Sequence, residues 1–215
     1  IGVAAVIAMV AIGEGAKKQV EASFSAMGAD LLIVLPGTTP RGGAQGGFGS
    51  KPTLTWSDLD AIRREASAVR LAAPSMRTPA QVLSEEQNWT TFVTGTAPEY
   101  FDVRSWSVVR GKHFEQGDVD GGAKVCVVGQ TVVEKLFGHG GDPVDQTIRI
   151  KNVPFRVIGV LEKKGQGHMG QDNDDVVIVP QSSFMSKIRG GLPQFINGVV
   201  FVSATSAEGA TRAQE

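Results

Sequence analysis

A chain of 215 residues with a formal net charge of −1 has no overall field to draw it to nucleic acid or to an anionic membrane surface. Its 41% hydrophobic content is that of a globular protein, long enough for one sizeable domain or two small subdomains sharing a core. The lone cysteine, Cys126, excludes an intramolecular disulfide framework; lying in the apolar run Val125–Val128, it reads as a buried thiol rather than a reactive one.

Residues Ile1 to Ile12 carry no polar side chain. That run is shorter than the roughly 20 residues a spanning helix needs, and it lacks the basic start and cleavage site of a signal peptide. After Gly13, Val20, Phe24 and Met27 recur at helical spacing, while Glu14, Lys17, Lys18, Gln19 and Glu21 take other faces. Apolar all round and then apolar on one side is the pattern of a helix leaving a bilayer and docking on a soluble domain. A buried core helix is the other reading.

Next, Asp30–Leu35 reads as a buried strand stopped by Pro36-Gly37. Thr38–Pro52 is glycine-rich and predicts a mobile loop. It is no phosphate cradle, because GxxxxGK[ST] occurs nowhere. Thr55 to Asp58 forms a capping box that opens a helix through Leu59, Ile62 and Ala66. Val69–Leu83 and Trp89–Thr96 alternate as a pair of antiparallel strands, with Glu85 and Glu86 at the hairpin tip.

From Gly95 to Leu161 the segments shorten, and turns punctuate them. Strands are expected at Val125–Val128, Thr147–Ile150 and Phe155–Leu161, with a short helix at Gln130–Phe137. This texture predicts a mostly β subdomain inserted into an α/β one. A strand at Val176–Val179, a helix at Gln181–Ile188 and a last strand at Gly198–Val202 follow.

Two β-branched runs, Val157–Leu161 and Val176–Val179, flank a linker of distinctive composition. It carries Lys163 and Lys164, then Gly165, Gly167 and Gly170, then Asp172, Asp174 and Asp175. The aspartates lack the glycine and closing glutamate of an EF-hand loop. His113, His139 and His168 are dispersed and beside glycine or charge, with no HExxH pattern. No GxSxG elbow is present, and the tryptophans stand apart from basic clusters, which disfavours base stacking. Nothing in the sequence argues for catalysis, a bound metal or nucleic acid. Two readings of the acidic linker remain open: a contact patch for a protein partner, or aspartates that cap turns and solubilise a loop.

Fragments along nearly the whole chain resemble the MacB family of ABC-transporter permeases, in its periplasmic core domain. They include Met9–Ala16, Leu35–Gly37, Leu54–Asp58, Val93–Thr96, Arg110–Lys112, Val125–Gly129, Glu134–Gly138, Asp142–Val144, Phe155–Val160 and Gly170–Asp175. Asp145 departs from the glycine common in the family, and Cys126 from a small apolar residue.

The resemblance implies an α+β domain: a porter-like α/β subdomain (28–94 and 170–215) with an inserted β-rich, sabre-like subdomain (95–169). Residues 1–27 would be the end of a transmembrane helix and its stalk. It implies a non-catalytic segment in the periplasm, tied to the bacterial inner membrane. No cofactor is expected here, since ATP and Mg would sit on a nucleotide-binding ATPase domain, fused or separate. The implied partners are that domain, a periplasmic adaptor and an outer-membrane channel, with a homodimer in the full transporter and a monomer for the isolated domain. The implied function is coupling of cytoplasmic ATP hydrolysis to periplasmic movements that export substrate. The alternative is a lipoprotein-releasing or cell-division regulatory permease of the same superfamily. Asp172, Asp174, Asp175, Gly167 and Gly170 are the candidate partner contact, and Val20, Phe24 and Met27 the candidate stalk packing.

Overall fold

The computed structural model describes residues 31–37, 53–167, 170–190 and 194–205. The stripe of Val20, Phe24 and Met27, the glycine-rich stretch 38–52 and His168 lie outside them.

Among the described residues nine strands form one sheet: β1 (Leu31–Val34), β2 (Val69–Leu83), β3 (Asn88–Thr96), β4 (Val108–Gly111), β5 (Val125–Val128), β6 (Thr147–Ile150), β7 (Val153–Leu161), β8 (Val176–Pro180) and β9 (Val199–Ala204). Their order is β1-β9-β2-β3-β8-β5-β7-β4, and β6 pairs with both β7 and β2. The pairings β2-β3-β8-β5-β7-β6 therefore run back to β2 and close a ring, with Val82 opposite Ile150 at the closure. Pairing is antiparallel except for β3 with β8 and β5 with β7.

The strands alternate because both faces are covered. On β8, Val177 and Val179 enter one core while Val176 and Ile178 enter the other; on β5, Cys126 and Val128 oppose Val125 and Val127 in the same way. The larger core takes the apolar sides of α1 (Trp56–Glu65) and α4 (Gln130–Phe137), through Leu59, Val132, Val133 and Leu136. The second core takes α2 (Glu99–Val103) and α3 (Gln116–Asp120), through Tyr100, Phe101, Val103 and Val119. A final helix, α5 (Gln181–Ser183), runs on into a π-helical turn, Phe184–Arg189, that buries Phe184 and Ile188.

Local chemistry accounts for the helix ends. Thr55 Oγ1 accepts from the Asp58 N–H at 3.2 Å while Asp58 Oδ2 accepts from the Thr55 N–H at 2.8 Å, closing the capping box of α1. The short β2–β3 connection makes the hairpin read from the sequence, with Glu85 and Glu86 exposed at its tip. The strands expected in the middle of the chain form within a residue or two of their predicted bounds. Gly95, where the chain changes texture, falls inside β3 and is hydrogen-bonded into the sheet between β2 and β8. Strands from the 95–169 stretch and from the flanking stretches thus share one sheet.

Candidate functional site

The linker between β7 and β8 crosses the end of the sheet beside the start of α4, and its acidic residues turn inward. Asp174 is 1% exposed. Its Oδ1 accepts from the Lys164 N–H at 2.7 Å and its Oδ2 from the Gly165 N–H at 2.9 Å. A buried carboxylate is tolerated where backbone donors satisfy both oxygens. Gly165 takes φ of +70°, a conformation that favours glycine.

Asp172 caps the same structure. Its Oδ1 accepts from the Asp174 N–H at 2.9 Å, and its Oδ2 accepts from the Thr131 hydroxyl at 2.6 Å in the first turn of α4. Asp175 Oδ1 accepts from the Trp89 indole N–H at 2.9 Å, which ties the linker to β3. Lys135 of α4 stands over the Trp89 ring, 4.9 Å from its centroid.

The basic end is anchored too. Lys164 Nζ donates to the Arg104 carbonyl oxygen at 2.6 Å, just past the C-terminus of α2, and lies 5.5 Å from the centre of the Trp106 ring. Burial holds the Lys164 ammonium below its ordinary pKa; the Arg104 charge adds to this and Glu162 opposes it. Trp106 donates its indole N–H to the Glu162 carbonyl oxygen at 2.8 Å.

Close packing completes the seat. Gly129 caps the N-terminus of α4, and a Cβ there would lie 2.1 Å from the Asp174 carbonyl oxygen. Only a residue without a side chain lets helix and linker approach so closely. Beyond this seat the linker forms a narrow hairpin, with Gln166 bridged to Asp172 and the Gly167 N–H bonded to the Gln171 carbonyl oxygen at 2.8 Å. Gln166, Gly170 and Gln171 are exposed there.

The structure thus brings Asp172, Asp174, Asp175, Gly167 and Gly170 into one element and gives each aspartate an internal partner. Thr131, Trp89, Arg104 and Gly129 complete the seat, and no spacing in the sequence marks them, because they come from three separate places in the chain: β3, the end of α2 and the start of α4. Elsewhere, His113 stacks on Phe101 with ring centres 5.0 Å apart, and His139 is exposed. Cys126 is fully buried, and burial pushes its thiol pKa far up. Among the described residues no group of three or more His, Cys, Asp or Glu side chains could hold a metal ion, and no helix is long and apolar enough to cross a membrane.

The described residues define a mixed-sheet α+β domain, covered on both faces, with a linker locked at the end of the sheet. Comparison with known proteins gives that class a family. The profile described as "MacB-like periplasmic core domain" matches residues 1–215, and the chain belongs to that family. The "Macrolide export ATP-binding/permease protein MacB" of Syntrophobacter fumaroxidans is 42% identical over 191 residues, covering 88% of this chain and 27% of the relative. The protein of the same name in Chlorobium luteolum is 35% identical over 215 residues, covering 100% of this chain and 32% of the relative. The chain therefore spans about a third or less of the length of these relatives.

Among solved structures, the periplasmic region of MacB from Actinobacillus actinomycetemcomitans superposes with a TM-score of 0.71 at 22% identity, covering 89% of this chain and 82% of that one. The extracellular domain of the noncanonic ABC-type transporter YknZ from Gram-positive bacteria gives 0.64 at 18% identity, covering 85% of this chain and 88% of that one. The α+β architecture expected from the sequence is the one these structures share.

Proposed function

We propose that this chain is the periplasmic part of an inner-membrane efflux permease that couples ATP hydrolysis, on a nucleotide-binding domain elsewhere in the transporter, to movement of a substrate out of the periplasm. The observation that carries the reading is the family match along the whole chain, joined to relatives whose names specify macrolide export. Those names favour export over lipoprotein release or regulation of cell division.

In this reading the domain does no bond chemistry. A sheet whose pairings close on themselves moves as a body, so a push delivered at one edge is felt at the other. The stalk formed by residues 14–27 delivers the push, with Val20, Phe24 and Met27 fixed to the domain as a lever. The linker between β7 and β8 presents its exposed turn, at Gly170 and Gln171, to an adaptor leading to an outer-membrane channel. Its aspartates hold that turn in place, and its outer surface makes the contact. The full transporter is a dimer, and the isolated domain is a monomer that binds no nucleotide.

The full-length permease, expressed with its adaptor in cells stripped of their own exporters, is expected to raise macrolide resistance several-fold. Phe24→Ala should keep ATPase activity and lose that resistance. A well-expressed, ATP-hydrolysing permease that leaves macrolide sensitivity unchanged would overturn the efflux reading.

A further inference from the structure

Arg77 is exposed on β2, and its guanidinium lies 3.8 Å from the centre of the Phe92 ring on β3, which is itself 41% exposed. Arg104, just past α2, stands 5.0 Å from the centre of the Phe201 ring, and its Nε is buried without a hydrogen-bond partner. Among the described residues neither guanidinium forms an ion pair or donates a hydrogen bond. Both charges reach Tyr100 of α2: burial raises the pKa of its hydroxyl, and Arg104, then Arg77, oppose the rise. The two arginines share one end of the sheet with the linker. Phe92 pairs with Val176, the first residue of β8, and the Arg104 carbonyl oxygen accepts from Lys164 Nζ at 2.6 Å.

The charge that faces outward at this end is opposite to the one the three aspartates of the linker suggest. Asp172 accepts from Thr131, Asp174 from the Lys164 and Gly165 amides, and Asp175 from Trp89. Partial burial lowers the Arg77 pKa; Tyr100 and then Asp175 oppose this, and Arg104 adds to it. Arg77 and Lys163 are exposed, with Glu162 the exposed carboxylate next to Lys163. Glu85 and Glu86 lie at the hairpin tip, roughly 25 Å further along the hairpin from Arg77.

We propose that Arg77, Phe92 and Arg104 receive an acidic side chain, an Asp or Glu with an apolar neighbour, from a soluble protein partner. The inference rests on the docking role above and supplies the chemistry of the partner. A guanidinium presents parallel N–H donors that match a carboxylate, and Arg77 keeps them unfilled while its flat face rests on Phe92. Phe92 and the exposed Pro79, its partner on β2, take the apolar neighbour. Arg104 adds the second positive charge. A phosphate-headed lipid would satisfy the same donors, but strand lengths favour a soluble occupant. Val69 of β2 pairs with Ala204, and Leu31 pairs with Ser203, so the start of β1 lies at the Val69 end of the sheet. Arg77 is about 26 Å further along β2. In the efflux reading the segment before β1 comes from the membrane, which sets Arg77 away from the lipid.

Titration of the full 215-residue chain into a fluorescent peptide of alternating glutamate and leucine, read by anisotropy at low salt, tests the receptor. The same peptide with glutamine in place of glutamate is expected to bind at least about tenfold more weakly. Arg77→Glu is expected to abolish binding of the acidic peptide, Arg77→Gln to weaken it at least about tenfold, and Phe92→Ala to weaken it several-fold. Lys187→Glu, which reverses an exposed charge on the π-helical turn, is expected to leave it unchanged. Equal binding of the two peptides, an affinity untouched by Arg77→Gln, or an equal loss in Lys187→Glu would each overturn the proposal. Binding to phosphatidylglycerol vesicles that depends on Arg77, with none to the peptide, would overturn it in favour of a lipid. If the acidic peptide binds through Arg77 and the full-length permease confers no macrolide resistance, the receptor stands and the efflux reading falls. If resistance is conferred and the peptide does not bind, the receptor is wrong and the efflux reading stands.

Discussion

The Asp174 carboxylate accepts the backbone N–H of Lys164 at 2.7 Å from a position 1% exposed to solvent. An acidic residue in a linker rich in glycine and charge is thereby an internal fastener. Truncation would leave the amides of Lys164 and Gly165 without their acceptor. Asp174→Ala is expected to cost about 2–4 kcal/mol, by the loss of hydrogen bonds to a charged group and the orphaning of buried donors. Urea unfolding reads this directly. A midpoint equal to that of the parent would mean that water replaces the carboxylate and that the linker is not fastened there.

The same geometry predicts the cost of a methyl group on the helix side. A Cβ at position 129 would meet the Asp174 carbonyl oxygen at 2.1 Å, and backbone cannot rotate away. Gly129→Ala should destabilise by at least about 2–3 kcal/mol. Adding Asp174→Ala should not rescue it, because the clash is with the main chain. Rescue by that second substitution would place the obstruction in the side chain.

Asp58 sets a pH dependence. The Thr55 backbone N–H, then the Thr55 hydroxyl, hold its carboxyl pKa below the usual value. A carboxylate with a depressed folded-state pKa stabilises the fold above its unfolded pKa, about 3.9, and loses that contribution as pH falls through the lower folded value. Thr55→Ala is expected to cost about 1 kcal/mol at neutral pH, the usual worth of an N-cap. The difference between Thr55→Ala and the parent should shrink below about pH 4. Thermal unfolding of both proteins across pH 2.5–7 checks this, and a gap that stays constant to the lowest pH would rule out the charged form of Asp58 as its source.

Cys126 offers a test of the core. It sits on β5 inside the larger cluster, fully buried, with its thiol pKa raised by burial alone. Folded protein should not react with a thiol reagent at pH 8 over hours, and urea-unfolded protein should react within minutes. Labelling of the folded chain at the rate of a free thiol would show that β5 opens readily.

Much of the architecture was legible in the sequence because its signals are local. The capping box at Thr55–Asp58, the period of two along β2 and β3, and the β-branched runs of β5, β7 and β8 each depend on a few neighbouring residues. Family membership was legible for a related reason, since the order and spacing of short fragments survive where any one of them is weak. The seat of the linker was not. Whether Asp172, Asp174 and Asp175 face water or protein depends on Thr131, Lys164, Gly165 and Trp89. Thr131 and Trp89 are 41 and 86 residues away from their carboxylates along the chain. That strands on both sides of Gly95 share one sheet was hidden likewise, because the return of β6 to β2 is a pairing between Val82 and Ile150 that no local pattern announces. Sequence by itself determined most of the strands and helices, through backbone preference and apolar period; β4, α2 and α3, of four or five residues each, were too short to carry a readable period. Only the tertiary structure decided which polar groups meet, because a carboxylate's partner is chosen by where distant strands end.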